Sequence, residues 1–474
     1  MDINQFLEIE KKYNLNSLQY DGIRYWTYAR FNIWNYDICS EKLELQEAHN
    51  KQKMTIKKFK DLLLAYLKGC KIKKTYEVLV LNHQRRVFNG QTFECVYTDD
   101  VIDEKYNALF LEAPFQYSHL KPAKSKNISY TDKIIIDSEL HVKLYKILHK
   151  KEYSSILKNI KSDISKAVKE MQSVFGWSKS EEEIVKKLTE TVIRCSFEKK
   201  QYERILDKVN PKLVVEVVHY GRMPMLINEL AKSRNIPTIE FQHGTMYREH
   251  AAYQYNLDQN IPQLPDYLFA FSEFWKNNIS VPIPDNNIVV TGFPNFEKKM
   301  LKYKGYERSD DRKTLLFLSQ GTIGKYLSKL ACEVANKLSN EQFRIIYKLH
   351  PSEYSTWREE LPDLINSGIE VIDSRNVDLY ELFAQSDIQI GAYSTAVFEG
   401  MGFGVSTYIY NVGHYDIMLP LIEQGYAKLI SSAEELVSSI SQDENETVDG
   451  SLFWKMNAKE NMQNEIDRLL KIKD

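Results

Sequence analysis

Three histidines in the sequence come directly after stretches that are predicted to be buried strands. His243 follows PTIEFQ, His219 follows KLVVEVV, and His350 follows FRIIYKL. An imidazole titrates near pH 6.5, so it can take a proton from a hydroxyl or contact a phosphate at neutral pH. In parallel α/β sheets ligands bind beyond the carboxyl ends of the strands, so we expect these side chains to lie at a binding site.

The residues next to two of these histidines sharpen that expectation. Gly244 follows His243 and permits close backbone approach, as the wall of a substrate site requires. The strands before His219 and His243 belong to one βαβ unit, so their ends are roughly 5 to 10 Å apart. Arg222 follows in the loop after His219, where it either binds an acidic acceptor or pairs with a local carboxylate.

The segment GAYSTAVFEGMGFG predicts a phosphate site in the second half of the chain. Ser394 and Thr395 begin a helix there, and free N–H groups at a helix start favour phosphate. Glu399 lies about one turn further on, where a carboxylate can accept hydrogen bonds from ribose. The alternative is that Ser394 only caps the helix. Three further residues follow another predicted strand end and are candidates for donor contacts, namely Gln320, Gly321 and Thr322.

These residues require alternating strands and helices to position them. Short apolar strands alternate with helices from about residue 76, and the alternation restarts after a polar segment. We predict an α/β protein with two doubly wound Rossmann-type sheets facing each other across a cleft, preceded by helices. Early strands are predicted at YEVLVLN, ALFLE and KIIID (133–137).

The predicted organisation has five parts. They are a helical N-terminal extension (1–75), a first Rossmann-like acceptor domain (76–299), a linker and hinge (300–313), a second Rossmann-like nucleotide-donor domain (314–450) and a C-terminal helix (451–474).

With these motifs in order, QHGT, KLHP and YSTAVFEG, the sequence resembles the bacterial GT-B glycosyltransferases and polyol-phosphate transferases of capsule and teichoic-acid assembly. The resemblance covers roughly residues 210–430. It implies a metal-independent, cofactor-free transferase that moves a sugar or polyol phosphate from a nucleotide-activated donor to a glycan or lipid-linked acceptor. A CMP- or CDP-type donor is favoured over a UDP-type one.

The resemblance also implies roles for individual residues. His350 and the helix start at Ser394 and Thr395 would stabilise the donor phosphate, and Glu399 would bind ribose. His243 would face the reacting centre, either as general base toward the acceptor hydroxyl or as a phosphate contact.

Composition narrows the remaining classes of function. A net charge of −2 argues against nucleic acid as a partner. Five scattered cysteines without CxxC spacing argue against a disulfide framework and a zinc site. The acidic pair Asp99 and Asp100 has no evident third ligand, so we expect an exposed loop rather than a metal site.

The N-terminus has no signal segment and no long apolar run follows, so we expect a cytoplasmic protein. Residues 51–74 carry nine lysines and one aspartate beside an apolar stripe. They form either a docking surface for the anionic inner face of the cytoplasmic membrane or a helix packed on its own domain.

Two other classes of protein share the predicted shape. One is a sugar-nucleotide 2-epimerase, and the other is a two-lobed sugar-binding protein without catalysis. The donor sugar, the acceptor and the stereochemical course are not encoded in these motifs.

Overall fold

A computed structural model describes residues 2–39, 55–84, 86–102, 104–308, 310–413, 415–442 and 447–471. Within these described residues, three α-helices precede the first sheet: α1 (Ile3–Lys12), α2 (Tyr25–Asn32), which continues as one π-helical stretch (Ile33–Ile38), and α3 (Ile56–Lys68). The first two pack through buried aromatic side chains against the long helices of the first lobe. They therefore form part of that lobe's core, whereas α3 buries only Ala65.

Seven of the described strands form the parallel sheet of the first lobe, and two more form a small hairpin. The strands are β1 (Val78–Leu81), β2 (Val87–Phe88), β3 (Phe93–Glu94), β4 (Ala108–Glu112), β5 (Ile128–Tyr130), β6 (Leu213–Glu216), β7 (Thr238–Phe241), β8 (Tyr267–Ala270) and β9 (Ile288–Val290). The helices are α4 (Asp99–Ile102), α5 (Asp132–Leu148), α6 (Lys150–Phe175), α7 (Glu181–Val209), α8 (Arg222–Lys232), α9 (Glu273–Lys276) and α10 (Pro294–Lys302). The large sheet has the order β5-β4-β1-β6-β7-β8-β9, so the strand order reverses between β1 and β6.

Six described strands form the second parallel sheet, in the order β12-β11-β10-β13-β14-β15. They are β10 (Lys313–Leu318), β11 (Phe343–Lys348), β12 (Glu370–Ile372), β13 (Ile388–Gly391), β14 (Ser406–Tyr410) and β15 (Lys428–Ile430). The helices after β10 are α11 (Gly324–Ala335), α12 (Trp357–Glu360), α13 (Leu379–Gln385), α14 (Thr395–Gly402), α15 (Leu419–Glu423), α16 (Ala433–Ser441) and α17 (Ala458–Lys471). This is the 3-2-1-4-5-6 order of a dinucleotide-binding Rossmann sheet, with its reversal between β10 and β13.

The predicted class of fold is therefore confirmed: two doubly wound α/β lobes with helices before the first. A buried apolar cluster joins them, with Phe271 and Trp275 from the first lobe and Leu318 and Phe398 from the second. The last helix, α17, returns to the first lobe, where Ile466 and its apolar neighbours pack beneath β1 and β6.

The predicted strand at 133–137 is wrong, because these residues lie in α5. Three consecutive isoleucines are typical of a buried strand, but a short apolar run does not distinguish strand from helix. The buried residues Ile134, Ser138 and Val142 recur every fourth position, which is the helical period. The strand of this region is β5, just before it.

The polar segment at 300–313 also differs in detail from a plain linker. Helix α10 extends to Lys302, and β10 begins at Lys313, so the irregular stretch is shorter than predicted. Lys299 of α10 forms an ion pair of 2.6 Å with Asp378, just before α13 of the second lobe. The connection between the lobes is therefore held by side-chain contacts as well as by the chain.

Candidate functional site

The turn after β7, residues 242–244, is fixed by hydrogen bonds to the carbonyl groups of His243 and Gly244. The Gln242 side chain donates from Nε2 to the Gly244 oxygen over 2.8 Å and accepts from the Phe271 N–H over 2.7 Å. The Tyr97 hydroxyl donates to the His243 carbonyl over 2.9 Å. The QHG motif therefore forms a turn in which the Gln242 side chain holds Gly244 and the Tyr97 hydroxyl holds His243.

The imidazole of His243 is enclosed by other aromatic side chains. A 3.1 Å hydrogen bond joins its Nε2 to the Tyr220 hydroxyl, and its Nδ1 is buried without a hydrogen-bond partner. Burial, followed by the nearby imidazoles of His83, His250 and His219, lowers the pKa of His243 to about 3. The ring is therefore neutral at physiological pH.

The other two predicted acceptor-side residues are each bound to a carboxylate. His219 is buried, and its Nδ1 lies 2.6 Å from Glu240 Oε2. Arg222, the first residue of α8, donates two hydrogen bonds of 2.7 and 3.0 Å to Glu198. Glu198 is fully buried, whereas about a third of the Arg222 side chain is exposed.

A cavity of about 570 Å³ lies over the strand ends of the first lobe, at the reversal between β1 and β6. Crevices at such reversals are the usual ligand sites of open α/β sheets. Its polar lining residues include Asn82, His83, Glu198, Tyr220, Arg222 and His243. His83 was missed by the sequence analysis, although it follows the predicted strand YEVLVLN as the other histidines follow theirs.

A buried charge cluster stands beside this cavity. Arg86 forms ion pairs with Glu112 and Asp99, and His119 bridges Glu112 and Asp132. The expectation that Asp99 lies in an exposed loop is wrong, because it is buried at the start of α4 and accepts hydrogen bonds from Ser125 and the Cys95 N–H. Two residues that are distant in sequence, Arg86 and Ser125, supply the partners that make its burial possible.

In the second lobe the loops after β10 and β13 are joined to each other. The Gln320 side-chain oxygen accepts from the Tyr393 N–H over 3.2 Å, and the hydroxyls of Thr322 and Tyr393 are 2.6 Å apart. These loops border the reversal in strand order of the second sheet. Gln320 and Thr322 therefore lie together with the segment that leads into Ser394.

Helix α14 begins at the cleft and faces the first lobe. Ser394 caps it by accepting from the Ala396 N–H over 3.2 Å. A Cβ atom built on Gly244 would lie 3.9 Å from Thr395 Oγ1, so the His243 turn meets the start of α14 across the cleft. The capping alternative and the phosphate site are compatible here, since one side-chain cap leaves other first-turn N–H groups available.

His350 lies at the exposed end of β11, beside the strand that carries Gln320. Its Nδ1 accepts from the Ser352 N–H over 3.2 Å and lies 2.7 Å from the Ser352 hydroxyl. Gly321 packs against this pair, and a side chain at that position would clash with Ser352 Oγ. Gly321 thus allows the two loops to approach without displacing the Ser352 side chain.

Glu353 fixes the same two loops from below and was missed by the sequence analysis. It is buried and accepts from the His350 N–H over 2.7 Å and from the Ser319 hydroxyl over 3.0 Å. Burial raises the pKa of Glu353 above its usual value. The available signal was its spacing, because a glutamate three residues after a turn start often bonds back to that start.

Glu399 points to the Tyr380 side chain, whose hydroxyl donates to Oε1 over 2.8 Å. Burial, opposed by the hydrogen bond from Tyr380 and aided by the charge of Asp378, raises the pKa of Glu399 to about 7. This carboxyl group is therefore shared between its protonated and ionised forms at neutral pH.

The fold and the site together define a class of two-lobed α/β proteins, in which the His243 turn of one Rossmann lobe meets the start of α14 in the other. The profile of the family described as CDP-Glycerol:Poly(glycerophosphate) glycerophosphotransferase matches residues 130–464. The match spans most of the chain, and the chain belongs to this family. It is a transferase of the glycerophosphotransferase type that acts in the assembly of a cell-surface polymer, which confirms the resemblance seen in the sequence motifs.

Solved structures with a similar fold include the wall teichoic acid polymerase TagF, which is 12% identical with a TM-score of 0.43. The alignment covers 89% of this chain and 99% of that one. UDP-GlcNAc 2-epimerase of Methanocaldococcus jannaschii is 18% identical, with a TM-score of 0.40 and coverage of 59% and 81%. MurG of Acinetobacter baumannii is 14% identical, with a TM-score of 0.41 and coverage of 58% and 80%. A comparison with curated proteins finds no match. The assignment to a family comes from the profile match.

Proposed function

We propose that this protein transfers a polyol phosphate from a CDP-activated donor to a hydroxyl of a glycan or lipid-linked acceptor. The family description supports CDP-glycerol as the type of donor. The observation that carries the proposal is the approach of the His243–Gly244 turn to Thr395 at the start of α14. A transferred group held at that helix start would meet an acceptor bound in the cavity of the first lobe.

In this proposal the donor occupies the second lobe. The first-turn N–H groups of α14, with Ser394 and Thr395, contact the diphosphate, and His350 stabilises the leaving phosphate. Oriented amides suit this task because they need no rearrangement as charge develops. Glu399 binds the ribose hydroxyls, and Gln320, Gly321 and Thr322 form the floor of the nucleotide site.

These groups meet the phosphate charge without a metal ion, and we propose a metal-independent reaction on that basis. The nucleotide donor is a substrate, and no further cofactor takes part. Turnover in the presence of EDTA tests this part, since a metal-dependent transferase would lose activity.

We propose that His243 contacts the reacting group as a neutral imidazole. Its low pKa and its bond to Tyr220 favour this contact role over that of general base. A base is most effective when its pKa is near the working pH, and the imidazole of His243 is far below it.

The acceptor occupies the cavity at the β1–β6 reversal. Arg222 contributes an oriented guanidinium, because Glu198 holds it through two hydrogen bonds. His219 acts indirectly, through the position of Tyr220, which it contacts edge-on with the ring centroids 5.4 Å apart. Gly244 allows the acceptor to approach the backbone.

We further propose that α3 docks the protein on the anionic inner face of the cytoplasmic membrane. None of the described helices has the length and apolar character to cross a bilayer. Ile56, Phe59 and Leu67 of α3 are exposed by 79%, 56% and 66%, and its neighbour α5 exposes further leucines. Lysines flank this face on α3 and just after it, and the predicted segment's first residues, 51–54, lie outside the described part of the chain. Apolar side chains beside lysines favour an interfacial helix.

The experiment that tests the transferase proposal combines donor binding with turnover. Melting temperatures are measured with CMP, CDP, UDP and GDP, because a ligand that binds the native state raises Tm. CMP release is then followed with CDP-glycerol and a soluble glycerol phosphate oligomer. A cytidine preference with acceptor-dependent CMP release is expected. Conversion of UDP-GlcNAc to its 2-epimer without acceptor would instead identify an epimerase.

A further inference from the structure

The acceptor cavity is bordered by two histidines, and only one of them was expected. The central strand β1 pairs with β6, with Leu81 beside Glu216. His83 follows β1 by two residues and lines the cavity at the reversal in strand order. The position of His83 in the first lobe therefore corresponds to that of Gln320 in the second, at the strand end where the sheet order reverses.

The backbone at His83 is fixed by a buried neighbour. The Asn82 side-chain oxygen accepts from the His83 N–H over 3.1 Å and from the Thr98 hydroxyl over 2.7 Å. Asn82 is buried, whereas the His83 side chain is partly exposed at the cavity. The imidazole of His83 is thus presented from a rigid turn to the space where an acceptor would bind.

The two imidazoles lie against one another. The ring centroids of His83 and His243 are 6.1 Å apart with an interplanar angle of 29°, and Tyr97 packs edge-on against His83 at 5.5 Å. Tyr97 also holds the His243 carbonyl, so one tyrosine sets the position of both histidines. Gly244, next to His243, approaches Thr395 at the start of α14, so this pair of rings lies near the place where the two lobes meet.

The surroundings of the two rings divide their roles. His243 is enclosed and bonded to Tyr220, and a positive charge on His83 further lowers the pKa of His243. A positive charge on either ring disfavours a second positive charge on the other, because like charges repel. Both side chains are partly exposed, but Nδ1 of His243 is buried, so His243 would lose hydration on gaining a positive charge.

We propose that His83 is a further catalytic residue, which contacts the acceptor hydroxyl and takes its proton. This inference rests on the proposed transfer reaction. The acceptor oxygen forms a bond to the transferred phosphorus of the donor, and the phosphoanhydride bond to CMP breaks. The hydroxyl proton passes to a ring nitrogen of His83, and CMP leaves with the electron pair of the broken bond.

The test compares His83→Gln with His149→Gln, a matched change of an exposed histidine on the same lobe. CMP release from CDP-glycerol is measured with a glycerol phosphate oligomer over a range of pH. Loss of a general base lowers turnover by about 10²- to 10⁴-fold. The rise in Tm with CDP should persist in His83→Gln, and the fall in activity at low pH, where a base is protonated, should disappear.

Equal turnover in His83→Gln and His149→Gln would overturn the inference, and so would an unchanged fall in activity at low pH. If His83→Gln does not fold, the same CMP-release assay is made with His83→Asn, and the pH profile of His243→Gln is measured beside it. The profile of His243→Gln should keep its low-pH fall at a reduced rate, and its loss would assign the proton to His243. A wild-type protein that is inactive on CDP-glycerol contradicts the proposed function, and the His83 comparison is then made with the donor of the nucleotide that raises Tm most.

Discussion

The two edges of the cleft are built from different groups. On the first lobe the proposed reactive positions are side chains held by other side chains, as in the contacts of His243 with Tyr220 and of Arg222 with Glu198. On the second lobe they are backbone amides and a close turn, at the start of α14 and at Gly321. A diphosphate is common to many donors and suits fixed amides. The acceptor differs in shape from one polymer to another. Side chains suit its recognition, because they can be substituted without altering the sheet.

The largest effect is expected at the side-chain-built edge. His243→Gln should lower turnover by about 10²- to 10³-fold, because it removes a fixed contact to the group that gains charge. The rise in Tm with CDP should remain, since the proposed donor site lies on the other lobe. His141→Gln, on the outer helix α5, serves as the control in the same CMP-release assay. Wild-type turnover in His243→Gln would contradict the proposed role of side chains at the first lobe's edge of the cleft.

A second prediction concerns the carboxyl group of Glu399 in the second lobe. The pKa of Glu399 is raised to about 7, so its protonated form stabilises the fold and this contribution is lost as the pH rises from about 4.5 through 7. The Glu399→Gln side chain does not ionise, so the variant does not lose this contribution. Its free energy of unfolding, relative to that of the wild type, should therefore rise by up to about 3 kcal/mol between pH 5 and pH 8. Urea unfolding at both pH values measures the change, with exposed Glu333→Gln as the control. A difference that does not vary with pH would show that Glu399 is ionised throughout.

The backbone-built edge is tested at Gly321. A methyl group there would clash with the Ser352 hydroxyl, which would have to move away from its place beside His350 Nδ1. Gly321→Ala should raise the KM for the donor about tenfold by displacing the loop, with a smaller change in the KM for the acceptor. Steady-state kinetics with each substrate varied in turn separates the two. An equal effect on both KM values would argue that the two edges do not act separately.

The smallest effect is expected on the outer face of the first lobe. Leu67→Asp on α3 should weaken binding to vesicles of anionic phospholipid about fivefold, because a leucine in the interface loses its apolar contact. Leu257→Asp changes a similarly exposed leucine elsewhere and should leave vesicle binding unchanged. Co-sedimentation with the vesicles measures both. Equal loss in the two variants would contradict α3 as the docking surface.

The strand ends could be predicted because buried parallel strands are continuous apolar runs, and the motifs follow them directly. His243, Ser394 and Gln320 were identified in this way. His83 carries the same signal and was overlooked, since its strand has no accompanying glycine motif. The error at 133–137 arose from three isoleucines whose helical period appears only over a longer window.

Other features of the site depend on residues that are distant in sequence. The pairing of Arg222 with Glu198 joins α8 to α7, and that of Tyr97 with His243 joins a loop after β3 to the end of β7. No local pattern encodes these partners, because they are set by how the elements pack. The sequence therefore located the two edges of the cleft but not the contacts that orient their side chains.

A crystal structure of the protein with CDP would show where the donor binds. We expect the diphosphate at the first turn of α14, hydrogen-bonded to N–H groups at Thr395 and its neighbours and facing the His243 turn. A diphosphate bound on another surface, with the start of α14 covered by protein side chains, would contradict this expectation.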